Sequence, residues 1–132
     1  MFKIACILTG VLISTQAVAE SWVFVGETDE SKYYIDSDRI QTINEYGKNY
    51  QKIWVKELIY NDITKDGLTV GDYYLQLFQI DCKNQMFGMK VFASYKNNGH
   101  KIESEHLNRV SMRDAIPGSI GDSVVQYACN RL

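Results

Sequence analysis

The residue pattern predicts an α+β fold: a single antiparallel sheet of about six strands, with a C-terminal helix packed on one face and tethered there by a disulfide. Three observations carry this prediction. Residues 86–96 place apolar side chains at every second position, a period that a helix cannot reproduce. Asn97-Asn98-Gly99 follows at once and offers residues that tolerate positive φ, as a tight hairpin requires. Beyond the only proline, Pro117, the apolar spacing changes to that of a helix over residues 120–132.

The N-terminal residues have a different purpose. Met1-Phe2-Lys3 supplies one positive charge, residues 4–15 form an apolar run, and Gln16-Ala17-Val18-Ala19 ends it with small residues at −3 and −1. This layout predicts a signal peptide over residues 1–19, cleaved after Ala19. The run is shorter than the roughly 20 apolar residues of a membrane-spanning helix. Cys6 stands too near the N-terminus to serve as a lipidation site. The expectation is an exported protein, in the periplasm, on the outer surface or secreted, with no stable membrane insertion once the signal is gone.

The remaining residues, 20–132, suffice for one domain and one core. Of the 14 basic residues Lys3 leaves with the signal, so 13 face 16 acidic ones and the formal charge becomes −3. That balance, with no lysine- or arginine-rich run, argues against a nucleic-acid partner. Cys6 also leaves, and Cys82 and Cys129 remain as an even pair that an oxidising compartment would join.

The elements follow in order. Residues 21–27 (SWVFVGE) are aromatic and β-branched and predict a first strand, with a polar turn at 28–31. Residues 32–36 form a second short strand, 37–39 a bend leading to Ile40, and 44–48 another turn. Residues 50–60 form a long strand with Ile53, Val55 and Ile59 on one side and Trp54, Leu58 and Tyr60 on the other. An extended loop over 61–72, rich in Asp and Gly, precedes a strand at 73–82 whose apolar parity shifts between Leu77 and Phe78. That shift predicts a bulge or burial on both faces. In 86–96, the side chains of Phe87, Met89, Val91, Ala93 and Tyr95 are expected on one face. Residues 101–107 return as a charged edge strand, with Glu103 and Glu105 sharing a face with Lys101. Ser119 is placed to cap the final helix and Asp122 to sit at the positive end of its dipole.

Several residues invite a catalytic reading and are better explained otherwise. Ser119 in Pro-Gly-Ser-Ile-Gly lacks the glycine two positions earlier that a nucleophile elbow needs, and its helix-cap role suffices. Asp36 and Asp38 read as turn chemistry rather than an acid–base pair. His100 falls in the hairpin and His106 on the charged strand, and with Glu103 and Glu105 they form a solvated edge rather than a metal site. No catalytic residue, metal or cofactor is expected. Two tryptophans and nine tyrosines are many for this length and suit strand surfaces and protein-binding faces. Trp54 and Tyr60 are the candidate binding residues, provided that the helix covers the other face.

An ordered set of features resembles the bacterial surface-adhesin protein E family. Trp22 opens the domain, Tyr34-Ile35-Asp36 precedes Ile40, and Trp54-Val55 follows. Cys82 ends a strand, Pro117-Gly118-Ser119 stands before the helix, and Cys129 lies near the end. The resemblance implies an antiparallel sheet with a helix disulfide-bonded to it. It further implies a cell-surface adhesin that engages a protein partner, host extracellular-matrix or plasma proteins, and associates as a homodimer. Two other functions fit the same residues. One is a periplasmic inhibitor or immunity protein that blocks a lytic enzyme. The other is a small-molecule carrier with a cavity between helix and sheet.

Overall fold

The computed structural model describes residues 21–130 and Gly10. The predicted signal segment, Gly10 apart, and residues 131–132 at the end of the predicted helix lie outside the described residues. The elements are β1 (Trp22–Glu27), β2 (Ser31–Asp36), β3 (Gln41–Glu45), β4 (Lys48–Ile59), β5 (Tyr73–Asp81), β6 (Met86–Tyr95), β7 (Lys101–His106), β8 (Arg113–Asp114) and α1 (Ile120–Cys129).

All strand pairs are antiparallel, and the main path runs β1-β2-β4-β5-β6-β7. Two short strands flank it. β3 pairs with residues 48–52 of β4, along the edge that β2 uses further on, and β8 pairs with Met86 and Phe87 of β6. The six expected strands are therefore present, and two more are added. β3 is polar and mostly exposed, and β8 has two residues, so neither carries a readable apolar period. Tyr46 and Gly47 both take positive φ, the geometry of a two-residue hairpin turn, which joins β3 to β4.

Partners in an antiparallel pair share a face, so the register sorts the side chains. Ile35, Val55 and Ile53 lie on one face with Phe78 and Ile80, and α1 packs there through Val124, Val125 and Ala128. Val55, Ile53, Ile80 and Val125 are almost wholly excluded from solvent. Burial on this scale stabilises each side chain by about 1.5–3 kcal/mol. Gly26 and Gly121 permit the close approach: a Cβ on Gly26 would stand 2.6 Å from Ile120, and one on Gly121 would stand 2.5 Å from the Phe87 ring.

Two β-bulges correct the expected faces. The pairs Leu77↔Val91 and Phe78↔Met89 leave Lys90 unpaired in β6. The parity shift at Leu77/Phe78 is thus a real register shift, and its extra residue sits in the partner strand. One inserted residue reverses the alternation. Phe87 and Met89 therefore face the helix side, while Val91, Ala93 and Tyr95 face away from it. Likewise Ser94↔Glu103 and Tyr95↔Lys101 skip Ile102, so Lys101 lies opposite the face of Glu103 and Glu105.

The helix is capped as its sequence requires. The Ser119 hydroxyl accepts the Asp122 N–H at 3.1 Å, and the Asp122 carboxylate accepts the Gly118 N–H at 3.1 Å. Cys82, just past β5, is bonded to Cys129 at the last turn of α1, with Cα atoms 5.5 Å apart. The closed loop spans 47 residues. In the chain-entropy account such a loop contributes about 4 kcal/mol.

Candidate functional site

Because α1 occupies the Ile53/Val55 side, the other face of the sheet is free of the helix, with Trp54 half-buried on it and Leu77, Val91 and Ala93 buried beside it. A depression of about 300 Å³ lies there. Its apolar walls are Trp22, Trp54, Tyr73, Leu75 and Tyr95, and its charged groups are Lys56, Asp36 and Arg39. These residues come from β1, the β2 end, β4, β5 and β6, and register alone brings them together: Trp22 opposite Asp36, Lys56 opposite Leu75, Tyr73 opposite Tyr95.

The rings are ordered by one another and by a cation. Tyr73 and Tyr95 stack at 5.1 Å with their planes 7° apart. The Lys56 ammonium sits 4.5 Å from the Tyr73 ring centroid and 5.7 Å from that of Trp22. Next along the same face Phe24, 52% exposed, meets the Tyr34 ring edge-on at 5.7 Å. The buried Asp36 carboxylate accepts the Asp38 N–H at 3.1 Å and lies 3.4 Å from Arg39 Nε. Asp36 and Asp38 thus form the expected turn. Both tryptophans of the chain line this single depression.

Trp54 and Tyr60 share the open face but not one site. They stand six positions apart, roughly 20 Å at the rise of an extended chain. Tyr60 lies just past β4, donates its hydroxyl to the Thr28 carbonyl at 2.6 Å, and carries Lys32 over its ring. Neighbouring acids and its own desolvation raise its phenol above the ordinary value, burial foremost. Its geometry is that of a clasp on the β1–β2 turn.

Register also separates charge. Lys32, Lys52, Lys56 and Lys101 take open-face positions, with Glu27 opposite Lys32 and Asp36 opposite Trp22 as the strand acids among them, while Glu57, Glu103 and Glu105 take helix-side ones. Among the described residues, none of Lys32, Lys52 and Lys56 makes an ion pair. The basic character of this face is invisible as a run in the chain, yet it leaves one trace: Lys52, Trp54 and Lys56 alternate with Ile53 and Val55.

Two other depressions have different chemistry. One, of about 640 Å³, lies at the sheet end beside Cys82 and the β3–β4 hairpin. There burial pushes the Asp81 carboxyl up, but hydrogen bonds from Lys48 and Asn84 outweigh it and hold the group below the ordinary value. A cleft of about 220 Å³ lies between helix and sheet, where Tyr33 and Glu57 meet Phe78, Phe87 and Ile120. Burial, then Glu57, raises the Tyr33 phenol. This cleft is smaller than the roughly 300–1,000 Å³ of most small-molecule sites.

His100 and His106 are exposed, the first in the β6–β7 hairpin and the second at the end of β7. Ser119 is engaged as the helix cap. No group of three His, Cys, Asp or Glu side chains suited to a metal occurs among the described residues. No helix among them is long and apolar enough to cross a membrane.

No curated protein and no solved structure matches the chain. A family model described as surface-adhesin protein E matches residues 22–130. That span begins with Trp22 at the head of β1 and closes at Asn130, the C-cap of α1, so it takes in the sheet, the helix and the disulfide. The chain belongs to the surface-adhesin protein E family.

Proposed function

We propose that this protein is an exported, non-catalytic binding module, displayed at the cell surface, that grips a protein partner through the face of the sheet opposite α1. In this reading residues 1–19 are a cleaved signal peptide and residues 20–132 the working domain. The single observation that carries it is the clustering of Trp22, Trp54, Tyr73 and Tyr95 in one depression on the uncovered face. Tryptophan and tyrosine, with arginine at hand in Arg39, are the side chains that dominate binding energy when a partner desolvates them. Family membership supports the adhesin role, and the surface or exported location goes with it.

The test is retention of a partner by the immobilised domain, residues 20–132, compared with its Trp54→Ala variant. Host plasma and matrix proteins and the producer's own envelope extract serve as sources. A partner held by the wild type and lost by the folded variant supports the face assignment. Equal retention by both sinks it. Fractionation of producing cells decides location: strict periplasmic retention, with one-to-one binding to a lytic enzyme, replaces the adhesin by an inhibitor.

A further inference from the structure

We propose that the open-face depression selects an acidic, extended peptide segment whose carboxylates fall on one side and whose apolar residues fall between them. The inference rests on the binding face proposed above and names the chemistry of its partner.

The protein as a whole is acidic, with a formal charge of −2, so a basic face needs a cause. The cause is the strand register. Lys52 and Lys56 stand four residues apart on β4 with Trp54 between them, all three on the open side. The separation is roughly 13 Å, which is also the spacing of residues i and i+4 in an extended peptide. Among the described residues neither lysine is neutralised by an ion pair. Asp36, the carboxylate that lines the depression with Lys56, is occupied by Arg39 and the Asp38 N–H. Asp38 itself lies in the bend beside Lys52, on the rim.

The walls decide which acid fits. Lys56 is half-buried and held between the Trp22 and Tyr73 rings, so an incoming carboxylate meets its charge within an apolar surround. Charge-assisted bonds strengthen where water is thinned out. The rings also give apolar residues of the same segment an area to cover. A sulfated glycan needs a continuous track of exposed cations, and here aromatic rings interrupt the lysines. Glu57, Glu103 and Glu105 sit on the far side of the sheet, where they do not oppose the approach.

The test uses the mature domain and four probes: acetyl-SETLTETS-amide, in which two glutamates and the leucine between them fall on one side of the extended chain, its lysine and glutamine counterparts, and a heparin hexasaccharide. Emission from Trp22 and Trp54 reports occupancy directly, since the chain has no other tryptophan. The glutamate peptide is expected to bind at least about tenfold more tightly than the other two, and to weaken steadily between roughly 50 and 300 mM salt. The double variant Lys52→Gln, Lys56→Gln should lose about tenfold in that affinity with its melting curve kept, and Glu57→Gln should lose none. Equal binding of all three peptides overturns the charge selection while leaving the face as a binding surface. A response to heparin alone, or to no probe, overturns the acidic-peptide inference, and partner retention by the Trp54 comparison is then judged separately.

Discussion

The Lys56 ammonium lies 4.5 Å from the centroid of the Tyr73 ring and is shared with Trp22 on the other side. This places a charge in the middle of an aromatic depression and orders the rings around it. A double-mutant cycle of Lys56→Met and Tyr73→Leu, read by urea denaturation, is expected to give a coupling of about 0.5–1 kcal/mol. Additive single effects would mean that the contact holds nothing in place.

In the chain-entropy account the disulfide acts on the unfolded chain more than on the native one. Cys129→Ser removes the constraint on a 47-residue loop and is expected to lower stability by about 4 kcal/mol. Reductant should lower the wild-type denaturation midpoint to a similar degree and leave that of the variant unchanged. A midpoint indifferent to reductant contradicts the role given to the bond.

A buried carboxylate ties the long loop to the β6–β7 hairpin. Asp72, 1% exposed, accepts the Thr69 N–H at 3.0 Å, the Asn97 N–H at 2.9 Å and Lys96 Nζ at 3.3 Å. The Thr69 bond foremost, helped by Asn97 and Lys96, outweighs burial and holds this carboxyl below its ordinary value of 3.8. A depressed folded pKa adds stability above the unfolded value, and that stability is lost as pH falls through the folded one. Asp72→Asn should cost about 1–3 kcal/mol at neutral pH. The gap between wild type and variant should narrow in acid, below 3.8. A gap constant down to strong acid argues against the assignment.

The helix sits close because Gly121 has no side chain. In Gly121→Ala the added methyl would reach 2.5 Å from the Phe87 ring, and the ring or the helix must move. The expected cost is about 1–3 kcal/mol in thermal or chemical denaturation. Gly99→Ala is a poor control because its φ is positive.

What was legible in the chain depended on how locally it was encoded. Ile53 and Val55 alternate without interruption, so the two faces of β4 are separable from the chain alone, but which of them receives the helix is not. Ser119 and Asp122 announced the helix start through short-range chemistry, and Cys82 with Cys129 announced the staple. Val91 and Phe87 were misassigned to one face because Lys90, the bulged residue, looks like any other outward lysine of a strand. Ile102 concealed the second reversal in the same way. The basic patch leaves no run of lysines in the chain because register assembles it across β2, β4 and β7. β3 gave no signal at all: its residues Gln41, Thr42 and Asn44 are exposed and owe their strand geometry to the neighbouring β4.

Both tryptophans lie half-buried on the helix-free, positively charged face of the sheet. Collisional quenching of their emission by iodide and by caesium, at equal ionic strength, tests this placement most directly. Iodide should quench more strongly than caesium, and Lys52→Gln with Lys56→Gln should narrow the difference. Equal quenching by the two ions, or stronger quenching by caesium, would contradict the account.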